Sequence, residues 1–206
     1  MATRTITRLY DTHDEATRAV SALEAAGVPH DDISLVGSGH DRAPAGGADD
    51  GDAAADGSGA GTGIGATLGT LVGGGAGLLA GIGALAIPGV GPIVAAGWLV
   101  AALTGAGVGA AAGGLLGSLV GAGVDEADAH VHAEGVRRGG TVLTARVDES
   151  QAARVEAALD AAGGTVDVAA RRAEYQAEGW ERYDPAAPGY TTTEVEAERK
   201  RRVRVY

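Results

Sequence analysis

From Gly57 to Val124 the chain carries no charged residue, and Asp56 and Asp125 bound the stretch at its two ends. A run of this length must be hidden from water, in lipid or against other protein. Within it glycine recurs at every fourth position: Gly61, Gly65, Gly69, Gly73, Gly77 and Gly81, then Gly105, Gly109, Gly113, Gly117 and Gly121. That spacing lines the glycines along one helical face, where two backbones can approach closely. Between the two series lies Ile87-Pro88-Gly89-Val90-Gly91-Pro92. The pattern predicts two glycine-zipper helices folded back on each other, with Pro88, Gly89, Gly91 and Pro92 making the turn. Each helical glycine costs about 1 kcal/mol relative to alanine, so the arms are helices only if something packs on the stripe.

Length permits either medium. An arm of nearly 30 residues reaches roughly 40 Å, against a hydrocarbon core of about 30 Å. The apolar content of the first arm is Ile64, Leu68, Leu71, Val72, Leu78, Leu79, Ile82, Leu85 and Ile87, diluted by glycines and by Thr62, Thr67 and Thr70. Singly the arms are marginal spans; as a pair they are reasonable ones. The arginines lie in the terminal regions, which places both termini of an inserted chain in the cytoplasm. The expected location is therefore the cytoplasmic membrane, and the alternative is a soluble cytoplasmic homo-oligomer with bundled hairpins. Expected partners are membrane lipid, copies of the same chain, or both.

The flanks read differently. Thr3 to Tyr10 is a β-like run, and Thr12-His13-Asp14-Glu15 fits a capping box before a helix over about 14–26 that Gly27 stops. Ile33 to Val36 gives a second strand. On the far side Asp125 and Glu126 open a helix that ends at Arg137, Arg138 and Gly139-Gly140, with charges that suit its dipole. Thr141 to Val147 is a third strand, Asp148-Glu149-Ser150-Gln151 caps a further helix ending at Gly163, and Thr165 to Val168 is a fourth strand. The helices at 16–27 and 152–163 echo each other residue by residue. A duplicated β-α-β unit is what a ferredoxin-like βαββαβ sandwich requires. The fold class expected is thus α+β: a ferredoxin-like sandwich split by an inserted helical hairpin. Its parts are a first half at 1–37, a flexible acidic linker at 38–58, the hairpin at 59–124, a helix with the second half at 125–170, and an extended charged tail with one short helix near Thr193 at 171–206.

Composition and motifs narrow the chemistry. A net charge of −11 argues against nucleic acid as a partner. With no cysteine, disulfides and thiolate catalysis are excluded. Nothing near the N-terminus resembles a secretory signal. Gly61-Thr62-Gly63-Ile64-Gly65-Ala66 lacks the preceding strand and the later carboxylate of a dinucleotide site. His130 and His132, at i and i+2 of a helix, cannot chelate one ion together, and all five histidines read as solvated. The acidic run Asp49, Asp50 and Asp52 lacks the glycine and terminal glutamate of a calcium loop. In the tail, Glu196–Lys200 and Glu198–Arg202 read as i,i+4 pairs of a charged helix, against a weaker reading in which the basic end touches anionic lipid. These readings give no catalytic residue, cofactor, metal or small-molecule substrate.

Several motifs resemble the heat-induced, YflT-like general stress proteins of bacteria. They are Tyr10-Asp11-Thr12 through Ala26-Gly27-Val28, Asp31 to Val36, the turn Ala86 to Pro92, Glu134 to Gly140, and Gly179-Trp180 to Tyr190. The resemblance implies a stress-response role without an assigned reaction and carries no catalytic residues. The expected function is that of a non-enzymatic general stress-response protein whose hairpin anchors it in the membrane or drives self-association. The alternatives are a soluble structural assembly built on bundled hairpins and a small-ligand or enzymatic α/β domain.

Overall fold

The computed structural model describes residues 2–38, 83–87, 91–99 and 110–203. The linker, the first arm up to Ile82, Gly105, Gly109, Pro88 and Gly89 lie outside the described residues. So do His40 and the Asp49–Asp52 run.

The fold is mixed α/β. Its strands are β1 (Thr3–Tyr10), β2 (Ile33–Ser38), β3 (Gly83–Ile87), β4 (Gly91–Ala96) and β5 (Thr141–Asp148). They form one sheet in the order β1-β5-β2-β4-β3, antiparallel throughout. The helices are α1 (His13–Ala25), α2 (Ala110–Gly121), α3 (Glu126–Arg137), α4 (Glu149–Ala162), α5 (Val168–Ala177) and α6 (Thr192–Val203).

Local chemistry explains the ends of these elements. The Thr12 hydroxyl accepts from the Glu15 backbone N–H at 3.3 Å, and the Glu15 carboxylate accepts from the Thr12 backbone N–H at 3.1 Å, the expected capping box. Asp125 caps α3 by accepting from the backbone of Ala127 and Asp128. After α3 the chain turns at Gly139, whose φ of +98° is a region L-residues rarely adopt.

Strand alternation loads both faces of the sheet. One face carries Leu9, Val142 and Val36, adjacent across three strands, buried with Ala129, Ala133 and Val136 of α3 and Leu115 and Leu119 of α2. The other carries Ile6, Leu35, Leu143 and Ala145, under the buried stripe Ala16, Ala19, Val20 and Leu23 of α1 and Ala152, Val155 and Leu159 of α4.

Three expectations are corrected. The uncharged stretch is not helical over 83–87 and 91–96: these residues form the paired strands β3 and β4, which join the sheet through β2. Ala84-Leu85-Ala86-Ile87 alternates small and large residues, a strand period that the glycine spacing masks. Pro92 lies in β4 opposite Ala86 of β3. The fourth strand shrinks to one bridge between Tyr10 and Thr165, with the Val166 N–H donating to the Leu9 carbonyl at 2.8 Å. Asp167 ends it by capping α5, accepting from Ala170 N–H at 2.8 Å. The tail is not extended: α5 and α6 fold onto the domain and bury Tyr175, Tyr183 and Val195.

Candidate functional site: a buried ion-pair network

The last turn of α3 places Glu134 one turn before Arg138, so the two side chains share a face. Glu134 is 1% exposed and Arg138 5%. Arg138 Nε donates to Glu134 Oε1 at 2.6 Å, and Arg137 donates to both oxygens of the same carboxylate at 2.8 and 2.5 Å. Arg138 also reaches out of its own helix, to Glu178 just past α5 at 2.5 Å and to Glu198 of α6 at 3.3 Å.

A second centre has the opposite sign. Asp11, at the end of β1, accepts two bonds from Arg171 of α5 at 2.8 and 2.9 Å and one from Arg202 of α6 at 2.6 Å. Arg202 bridges the centres by donating to Glu198 at 3.0 Å. Arg201 pairs with Glu198 and, at 2.7 Å, with Glu178; Arg171 pairs with Glu174 at 3.1 Å. Asp11, Glu134, Glu174, Glu178 and Glu198 thus meet Arg137, Arg138, Arg171, Arg201 and Arg202, and the cluster is electrically balanced. Aromatic rings roof it: the Arg138 guanidinium stands 4.1 Å from the centre of Tyr175, and that of Arg137 stands 4.7 Å from Tyr190.

Electrostatics follow from this pairing. Burial works to lower the pKa values of Arg137, Arg138 and Arg171, but the hydrogen bonds to Glu134 and Asp11 outweigh it and leave all three raised. Burial works to raise Asp11, and the bonds and charges of Arg171 and Arg202 hold it below its ordinary value. Glu178 is likewise held down by Arg138, against its own desolvation. Carboxylates fixed in their charged form by guanidiniums are poor proton carriers near neutrality, so the cluster is suited to holding elements together rather than to acid–base work.

His132 corrects the expectation of five solvated histidines: it is 2% exposed, and its Nδ1 has no hydrogen-bond partner. Burial lowers its pKa to about 4, so it is neutral near pH 7. Among the described residues no group of three or more His, Asp or Glu side chains is arranged to hold a metal ion.

The predicted helix-packing residues are only partly in view. Gly113, Gly117 and Gly121 lie in α2, whereas Gly91 and Pro92 lie in β4. The α2 helix turns Leu115 and Leu119 inward, and a β-carbon on Gly117 or Gly121 would meet nothing within 4 Å. Val120, between them, is 41% exposed. Among the described residues no helix is long and apolar enough to cross a membrane.

Sequence reading found one limb of the network, the Glu198–Arg202 pair. It missed Asp11, Glu134, Arg138 and Arg171, although Glu134 and Arg138 carry the same i,i+4 signal at the end of α3. No protein family, curated protein or solved structure matches the chain.

Proposed function

We propose that this chain is a non-enzymatic general stress-response protein whose uncharged glycine-rich stretch works by packing against copies of itself. One observation carries the reading: α2 spends its leucines on the domain and leaves Gly117 and Gly121 open. Glycine weakens a helix by about 1 kcal/mol per residue, so an outward glycine stripe is costly unless another backbone comes close to it. The charged interior supports the non-enzymatic part, because its carboxylates and guanidiniums are occupied with one another. The stress-response part rests on the motif resemblance at Tyr10 to Val28 and Glu134 to Gly140.

The domain itself reads as a ferredoxin-like sandwich with an insertion after β2. The order β1-β5-β2 and its antiparallel pairing support this, as does the Tyr10–Thr165 bridge on the side of β1 where a fourth strand belongs.

Anchoring in lipid is the second reading, favoured by the absence of charge from Gly57 to Val124. Fractionation separates the two. Recovery as a discrete oligomer in a salt-washed, detergent-free supernatant supports self-packing. A pellet released only by detergent supports the anchor, and a monomer in the supernatant removes both.

A further inference from the structure

We infer that α6 is an ion-held clasp, one that opens as a unit ahead of the domain it covers. The docking face of this helix is Val195, Glu198, Arg199 and Arg202, a helical stripe at i, i+3, i+4 and i+7. In most docked helices such a stripe is apolar; here, among the described side chains, Val195 is its one apolar member, seated on the Gly139 turn. The other three attach through charge. Glu198 accepts from Arg138 at 3.3 Å, Arg199 donates to the Gly139 carbonyl at 2.9 Å, and Arg202 donates to Asp11 at 2.6 Å. Arg201, beside the stripe, adds its bond to Glu178 at 2.7 Å.

The polarity is crossed. The body offers a cation, Arg138, to the α6 anion, and an anion, Asp11, to the α6 cation. A shift of one turn would carry Arg202 toward Arg138, so the charges set the register as well as the attachment. Such an interface is strong when complete and fails sharply when one charge goes, because the remaining partner is left buried and unpaired.

Asp11 is the weak point. It is the one carboxylate between Arg171 and Arg202, which are 6% and 7% exposed. Without its charge the two guanidiniums repel each other. Arg171 is anchored in α5, whereas Arg202 escapes if α6 lifts. The body has no such dependence, since the cluster built on Leu9, Val36 and Val142 contains no α6 residue. Once lifted, a helix of 12 residues is too short to persist alone, so its amides become exchangeable. Lifting also takes Arg201 from Glu178 and Arg202 from Asp11, beside the already exposed Lys200.

Amide hydrogen exchange on the full chain tests this. Asp11→Asn is expected to speed exchange over 195–203 at least about tenfold, with β1, β5 and α3 unchanged. Arg202→Gln, which leaves Asp11 paired with Arg171, is expected to loosen the same amides to a smaller degree. In the unaltered chain, raising NaCl from about 0.05 M to about 1 M should speed exchange in α6 but not in the sheet, since salt favours the separated charges. The inference is overturned if α6 keeps its protection in Asp11→Asn. It is equally overturned if α6 and the sheet lose protection together in both variants, or if exchange in α6 ignores salt.

Discussion

Gly135 of α3 lies flat on Leu9 of β1: a β-carbon at position 135 would stand 2.8 Å from both Leu9 methyl carbons. That approach seats α3 low on the sheet, which brings its last turn level with the end of β1. Gly135→Ala therefore overpacks this face. It is expected to lower stability by about 1–3 kcal/mol in urea unfolding, with a repacked rather than lost core. A neutral effect would mean that α3 does not sit this close.

The buried network and the surface ion pairs should behave differently. Glu134→Gln leaves Arg137 and Arg138 short of their shared anion and is expected to cost about 3–5 kcal/mol. Arg4 pairs with Glu156 at 3.1 Å while about half exposed, and Arg4→Ala is expected to change stability by less than about 1 kcal/mol. Urea unfolding at neutral pH measures both, and similar losses for the two variants would contradict the distinction.

His132 gives the fold an acid limit. Its folded pKa, about 4, lies below the ordinary histidine value, so the unfolded chain binds its proton first. The stabilising contribution is complete above about pH 6.5 and is lost as pH falls toward 4, amounting to about 3 kcal/mol. Denaturant unfolding at several pH values should show this slope, and His132→Phe should flatten it. An unchanged slope in that variant would place the titration elsewhere.

The sequence was most legible where local chemistry decides the outcome. The Thr12–Glu15 box, the Asp125 cap and the glycines after α1 and α4 act within one turn, so their residues predict their structure. The echo between α1 and α4 also translates directly, into two helices side by side on one face of the sheet. Long-range competition was less legible. Residues 83–87 and 91–96 continue the glycine-rich composition of their neighbours, yet β4 pairs with β2 and β3 pairs with β4, so both are strands. Thr165 to Val168 has strand-forming residues, but the Asp167 cap favours helix two residues from the bridge. The ion network joins Asp11 to residues 160 and 191 positions away, a distance no local pattern spans.

Self-packing through the α2 glycines is the central claim, and sedimentation velocity of the full chain without detergent tests it most directly. The unaltered chain is expected to form a discrete oligomer that dissociates on dilution, and a Gly117→Leu variant to fold normally but sediment as a monomer. Folding should survive because a side chain at 117 points into open space. A chain that is monomeric at every concentration, or a Gly117→Leu variant that assembles as the unaltered chain does, would contradict it.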